Sequence, residues 1–150
     1  MTENMIYLRR TIEGMNSQEL IAFMYQEVLR SLHMARQGFE HRDIEERVNG
    51  INRALSFIGS LSGVLDQDNG GEIASHLRAL YTWSIGELGR ANMLNEPRRL
   101  SGVERIFSEL AAAWTAMMQQ GVSVPFPQAE ESSSAAPAAA RVSGGGEWYG

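Results

Sequence analysis

The chain is 150 residues long, which fits one compact domain, and its formal net charge of −5 argues against nucleic acid as a partner. It contains no cysteine, which excludes disulfide bonds and cysteine metal sites. No apolar run approaches the roughly 18 residues of a membrane span, and the first ten residues lack the pattern of a secretory signal. We therefore expect a cytoplasmic protein without membrane insertion.

The N-terminal segment, residues 1–15, holds the apolar cluster Met5–Leu8 followed by two arginines. A segment this short does not form a stable helix by itself, so it must pack on something else. It is interpreted either as a frayed terminus or as a movable cap over a groove. A short extra helix is compatible with both alternatives.

The first long helix is predicted to start at Asn16, because Asn16 and Glu19 have the spacing of a capping box. It is predicted to end between Gly38 and Arg42. Apolar residues recur along one face at intervals of three and four, the pattern of a core helix: Ile21, Met24, Val28, Leu32, Ala35 and Phe39.

Asp43 and Glu46 have the same capping-box spacing and predict the start of a second helix. Gly59 and Gly63 lie one turn apart in it and favour close packing against a neighbouring backbone, with a shallow groove as the alternative. The predicted core positions form two adjacent stripes: Ile44, Val48, Ile51, Leu55, Ile58 and Leu65 in one, and Ala54, Phe57, Leu61 and Val64 in the other.

Turn-forming residues from Asp66 to Gly71 precede a third helix, which the turn Asn95–Pro97 ends. Its predicted core stripe is Ile73, Leu77, Leu80, Tyr81, Leu88 and Ala91. Ser101 and Glu104 predict a third capping box at the start of a fourth helix, and Gly121 is its natural C-cap.

The composition changes after Gly121. Residues 122–150 are rich in Pro, Ala, Ser and Gly and show no apolar period, which predicts a disordered tail. Four amphipathic helices joined by short links predict an all-α fold, an antiparallel four-helix bundle spanning residues 1–121.

Signals of enzyme chemistry are weak. No phosphate-binding loop, HExxH or GxSxG motif is present, and Glu72 and His76 lack the second half that a dimetal bundle needs. We therefore expect neither catalysis nor a metal or other cofactor. Two alternative hypotheses are histidine phosphotransfer through His33 and a structural bundle that assembles with itself.

An acidic helical domain with surplus apolar residues typically binds another chain. Methionine suits a surface that must adapt to its partner, and aromatic side chains suit the walls of a groove. The methionine and aromatic residues that are candidates for the walls of such a groove are Tyr7, Tyr25, Tyr81, Trp83 and Met93.

The stretch GGEIASHLRALYTW, residues 70–83, resembles the middle of the FliS family of flagellin export chaperones. That family carries a Gly-Gly turn, Glu-Ile-Ala and then Asn-Leu-x-x-Leu-Tyr-x-Tyr. The stretch NSQELIAFMYQEVL is similar to its first-helix start, and SELAAAWTAM is similar to its last core helix. His76 stands where the family often has Asn, and Trp83 keeps an aromatic position aromatic.

The resemblance implies a cytoplasmic, non-enzymatic chaperone that binds the disordered C-terminal segment of flagellin and prevents premature polymerisation. It also implies delivery to a component of the flagellar type III export gate. A competing assembly regulator and a monomeric or weakly dimeric state are further expectations. By resemblance, the segment around Tyr7 covers part of the groove when it is empty.

The predicted flagellin-binding groove combines residues of the N-terminal segment and of the third helix. Several of them also lie on the predicted core stripe, so some must belong to the core. The groove residues are Ile6, Tyr7, Ile73, Leu77, Leu80, Tyr81, Ile85 and Asn92.

Overall fold

The computed structural model describes Ile6, Arg9, Arg10 and residues 13–66 and 71–121. Its helices are α1 (Ser17–Glu40), α2 (Ile44–Asp66), α3 (Gly71–Leu94) and α4 (Arg98–Gln120), and the described residues include no strand. α2 packs against α3 and α3 packs against α4. The predicted all-α antiparallel four-helix bundle is confirmed, whereas the predictions for residues 67–70 and 122–150 lie outside the described residues.

The N-terminal unit includes residues up to Leu20, and Ile6, Arg9 and Arg10 in it are helical.

Where α1 begins, the Glu19 backbone N–H donates to Asn16 Oδ1 at 2.8 Å, and the Asn16 backbone N–H donates to Glu19 Oε1 at 3.1 Å. These reciprocal bonds satisfy backbone donors that the first turn of a helix leaves unpaired. The predicted capping box is confirmed.

A left-handed residue ends α1 and leads directly into α2. Arg42 has a φ of 56°, and the Asp43 N–H donates to the Gly38 carbonyl at 2.8 Å, the bond pattern of a Schellman motif. Asp43 then caps α2, because its Oδ1 accepts from the Glu46 N–H at 3.0 Å. The N-cap predicted at Asp43 is therefore confirmed.

The fourth helix begins earlier than the sequence pattern predicts. α4 starts at Arg98 after the N-cap Pro97, which makes no side-chain capping bond, so the capping box predicted at Ser101 and Glu104 is wrong. Proline is favoured at a helix start because its fixed φ suits the first turn, where its missing N–H is not needed. The Gly121 C-cap is confirmed, with a φ of 69°.

The buried rows largely follow the predicted stripes. α1 buries Ile21, Met24, Val28, Leu32 and Ala35, and α2 buries Ile51, Ala54, Ile58, Leu61 and Leu65. Ile44 is 64% exposed, so its assignment to the core is wrong, because it is the first residue of α2 and lies at the end of the bundle. The buried row of α3 runs through Ala74, Leu77, Tyr81, Ser84, Leu88 and Ala91.

The α3 row corrects one further prediction. Ala74 and Ser84 occupy core positions, whereas Ile73 is 58% exposed and does not belong to the core stripe. Neighbouring residues of a helix point about 100° apart, so a row through Ala74 turns Ile73 away from the core. Small side chains carry little hydrophobic signal, which is why periodicity chose Ile73.

An aromatic cluster joins three helices in the core. The Tyr25 and Tyr81 hydroxyl oxygens lie 2.7 Å apart and share a hydrogen bond, and the Phe107 ring stacks on Tyr81 at 5.9 Å between centroids. Trp114 meets Tyr25 edge-on at 6.2 Å. Burial raises the pKa of Tyr25 to about 12 and raises that of Tyr81 further. Both tyrosines are buried core residues rather than groove walls.

Two glycines hold α1 and α2 close together. A Cβ on Gly38 would lie 2.3 Å from a backbone nitrogen of α2, and one on Gly50 would lie 2.4 Å from a backbone nitrogen of α1. The close packing predicted at Gly59 and Gly63 is wrong, because among the described residues a Cβ on either would have no neighbour within 4 Å outside the backbone of its own helix.

A buried carboxylate crosses the same seam between α1 and α2. Glu27 is buried, and it accepts from Arg53 of α2 at 2.9 Å and from Arg30 of its own helix at 3.0 Å. Two charged donors compensate the desolvation of this carboxylate. The α1–α2 seam therefore combines direct backbone contact with a paired buried charge.

Candidate functional site

The third helix exposes more apolar surface than its neighbours. Among the described residues, five of the seven exposed large apolar side chains belong to α3: Ile73, Trp83, Ile85, Met93 and Leu94. The helix also buries a complete row against the core. A helix with apolar side chains beyond its core stripe is a candidate for contact with a partner.

One exposed side of α3 is turned toward α4. Glu87 of α3 pairs with Arg99 of α4 at 3.2 Å. Leu80 lies seven residues before Glu87, and Ile73 lies seven residues before Leu80. Seven residues make nearly two full turns, so the three residues share one side of the helix. Ile73 and Leu80 therefore lie on the α4 side of α3.

Trp83 contacts α4 directly. A Cβ on Gly102 would lie 2.9 Å from the Trp83 Cη2 atom, so the missing side chain of Gly102 makes room for the indole ring. The ring is nevertheless 45% exposed. We call the surface formed by Ile73, Leu80 and Trp83 the Trp83 face.

The other exposed side of α3 is turned toward α2. Asn92 accepts a hydrogen bond through Oδ1 from Arg47 Nε of α2 at 3.2 Å. Ile85 precedes Asn92 by seven residues, so it shares this side, and it is 40% exposed. We call the surface formed by Ile85 and Asn92 the Ile85 face.

The structure divides the predicted groove residues into separate groups. Ile73 and Leu80 belong to the Trp83 face, and Ile85 and Asn92 form the Ile85 face. The buried side chains of Leu77 and Tyr81 lie in the core between these faces. Of the predicted N-terminal residues, Ile6 is exposed in the N-terminal unit, and Tyr7 lies outside the described residues.

Ion pairs border the Trp83 face near the turn between α3 and α4. Glu87 accepts from Arg90 and from Arg99, each at 3.2 Å, and Arg99 also donates to Glu96 at 2.6 Å. The bond to Glu96 contributes most to raising the pKa of Arg99. An apolar centre with a charged border is the usual anatomy of a protein interface.

The predicted groove omitted Trp83, although the aromatic composition had identified it as a candidate. The signal that could have found it is Gly102, which allows an aromatic ring to approach α4. Sequence spacing instead predicts that Gly102 lies inside a capping box. Only the true start of α4 at Arg98 places Gly102 within the helix and opposite α3.

The described residues offer little for catalysis or metal binding. His33, His41 and His76 are exposed, and no group of three or more His, Asp or Glu side chains in the described ranges could hold a metal ion. None of the described helices is long and apolar enough to cross a membrane. The described residues therefore offer exposed apolar surface along α3 rather than a set of catalytic groups.

Comparisons with known proteins point in one direction. The model of the family described as flagellar protein FliS matches residues 2–121, which include all four helices. The flagellar secretion chaperone FliS of Campylobacter jejuni is 35% identical over 97 residues, 65% of this chain and 76% of its own. FliSB of Pseudomonas aeruginosa is 31% identical over 109 residues (73% and 86%), and FliS of Salmonella typhimurium is 29% identical over 110 (73% and 82%).

Proposed function

The chain belongs to the FliS family of flagellar secretion chaperones, and on that premise we propose that it binds the C-terminal segment of flagellin across α3. The binding takes place in the cytoplasm and keeps flagellin from polymerising before export. The complex then presents flagellin to the type III export gate. The chaperone holds its ligand by surface contact and performs no chemistry on it.

The Trp83 face is the observation that carries this proposal. Ile73, Leu80 and Trp83 lie along the side of α3 turned toward α4, where an apolar segment can pack into the seam between two helices. Tryptophan is enriched among the residues that dominate binding energy, because its ring buries a large area with few rotatable bonds. Trp83 is therefore the proposed anchor.

The Ile85 face supplies the proposed second contact. Asn92 Oδ1 already accepts from Arg47, so the amide N–H groups remain to donate to a carbonyl of the ligand backbone. A disordered segment loses conformational entropy when it binds, so it needs a large contact area to reach useful affinity. A ligand that crosses α3 gains contacts on both faces, and Ile6 and Tyr7 remain proposed ligand contacts.

Titration of the labelled C-terminal segment of the host's flagellin into the full chain tests this proposal. Trp83→Ala should weaken binding by about thirtyfold, which corresponds to the roughly 2 kcal/mol expected of an anchoring residue. The matched control is Ile44→Ser, which removes an apolar side chain that is also exposed but lies on α2. This control should bind within about twofold of the wild type.

Two results would contradict the proposal at different levels. No binding of the segment at about 10–100 μM would overturn the assignment of flagellin as ligand, since such a complex must be at least this tight to be isolated. Wild-type affinity in Trp83→Ala, with helicity unchanged by circular dichroism, would overturn the Trp83 face as the site while leaving the ligand in place.

A further inference from the structure

A cavity of about 450 Å³ opens at the end of the bundle where α1 turns into α2 and α3 turns into α4. It has the volume of a ligand pocket rather than of a packing defect. None of its lining residues belongs to the Trp83 face or the Ile85 face. The side chains that matter for its chemistry are Phe39, Arg42, Ile44, Arg47, Asn95 and Pro97.

Two of these residues, Arg42 and Asn95, have left-handed backbone conformations, which only glycine adopts without strain. Arg42 and Asn95 both have a φ of 56° and end α1 and α3 in the same way. Asparagine tolerates this conformation, but an arginine there is energetically costly, and glycine is the usual residue. The chain accepts this cost at Arg42, which lines the cavity, and retained strain of this kind points to a function.

The second guanidinium of the cavity is held in a fixed position. Arg47 lies over the Phe39 ring at 5.2 Å, donates through Nε to Asn92 and donates through Nη1 to Asn95 Oδ1 at 3.3 Å. Both hydrogen-bond partners are neutral amides, so they orient the guanidinium without neutralising it. Its Nη2 group remains to donate to a ligand.

The acidic side chains of the region are directed elsewhere. No carboxylate of the described residues lines the cavity, whereas Asp43, Glu45 and Glu46 line a separate opening together with Met34 and Asn49. Nearby, Glu96 is engaged by Arg98 and Arg99. In a chain with a net charge of −5, the cavity is therefore a locally cationic site.

We propose that this cavity is a second binding site, which takes an acidic peptide segment of a partner protein that carries an apolar side chain next to a carboxylate. The carboxylate binds the guanidinium groups of Arg42 and Arg47, whose planar donors match its two oxygens. The apolar side chain contacts Ile44 and Pro97. A free inorganic anion would make no use of the exposed Ile44, so the apolar wall favours a peptide.

Fluorescence anisotropy of the full chain with three labelled peptides tests the proposal. The first peptide repeats Glu-Leu pairs separated by Ser-Gly, the second replaces Glu with Gln, and the third replaces Leu with Ala. The wild type should bind the first peptide at least about tenfold more tightly than either of the others, since each lacks one of the two required groups.

Variants of the cavity separate binding from folding. Arg42→Gln should weaken binding of the first peptide about tenfold, and Ile44→Ser should do so as well. Arg42→Gly should also weaken it while raising the melting temperature, because glycine removes the backbone strain. The matched control Arg105→Gln removes an exposed arginine of α4 and should leave affinity within about twofold.

Three outcomes would overturn the proposal. One is the absence of saturable binding of the first peptide at about 1 mM. Another is wild-type affinity in both Arg42 variants. The third is displacement by inorganic phosphate together with equal binding of the Leu-to-Ala peptide, which would make the cavity an anion site. Because Arg42→Gln should retain flagellin binding, failure of this site is distinguishable from failure of the proposed chaperone function.

Discussion

The hydroxyl pair of Tyr25 and Tyr81 offers the sharpest test of the core. Both side chains are buried, and their oxygens lie 2.7 Å apart at the meeting point of α1 and α3. Tyr81→Phe removes one hydroxyl and leaves the rings in place, because phenylalanine has nearly the same shape. The change therefore isolates the hydrogen bond from the packing around Phe107 and Trp114.

The expected magnitude follows from what the remaining hydroxyl loses. In Tyr81→Phe, the Tyr25 hydroxyl stays buried without this partner, at a cost of about 1–3 kcal/mol. Tyr25→Phe should cost a similar amount for the same reason. The double variant removes both hydroxyls and leaves neither one unpaired, so its total cost should be no larger than that of one single variant. The coupling energy is then about 1–3 kcal/mol.

Urea unfolding of the wild type, both single variants and the double variant, followed by far-ultraviolet circular dichroism, gives this coupling energy. An unchanged m-value, the slope of the free energy of unfolding against urea concentration, would show that the variants unfold from the same compact state. Strictly additive single costs would refute the reasoning, because independent hydroxyls cannot form the bond that links α1 to α3. Ser84 provides the internal comparison, since its buried Oγ has no partner within the described residues.

Three further expectations concern stability, each measured by denaturant unfolding. Ser84→Ala should leave the free energy of unfolding unchanged or raise it, because no hydrogen bond is lost; a decrease above about 1 kcal/mol would contradict the unpaired Oγ. Gly50→Ala should lower the free energy of unfolding by about 1–3 kcal/mol, because the added Cβ forces α1 and α2 apart. The control Gly59→Ala has no described neighbour at this position and should raise the free energy of unfolding by up to about 1 kcal/mol. Equal effects of the two variants would contradict the close contact at Gly50. In the folded bundle, burial raises the pKa of the Tyr25 and Tyr81 hydroxyls above the usual value of 10.0. The free energy of unfolding should therefore be constant just below pH 10 and fall between pH 10 and about 12, the raised pKa of Tyr25. A flat profile through about pH 12 would contradict the burial of the two hydroxyls.

Most of the fold follows from local rules that a sequence displays. The caps at Asn16, Asp43 and Gly121 each depend on one residue type at a known offset, and the structure contains all three. The start of α4 depended on two competing signals. Pro97 indicates the end of the preceding helix, and proline also favours the start of the next one.

The candidate site could be predicted only in part. The sequence identifies α3 as the helix with surplus apolar residues, but a one-dimensional pattern does not say which neighbour each side of a helix meets. Leu77 and Tyr81 fit both the predicted groove and the predicted core stripe, and their side chains are buried in the core. The contact of Trp83 with α4 is recognisable only when Gly102 is placed against it.

The glycine contacts between α1 and α2 make this seam different in kind from the seam between α3 and α4. Gly38 and Gly50 bring two backbones together, and the buried Glu27 with Arg53 ties the same pair of helices, so this hairpin resists spreading. The seam between α3 and α4 is held through side chains, by the Glu87–Arg99 ion pair at 3.2 Å and by the Trp83 ring against Gly102. Side chains change rotamer without moving the helices, so a ligand that inserts between α3 and α4 displaces side chains there, whereas between α1 and α2 it would have to separate two backbones.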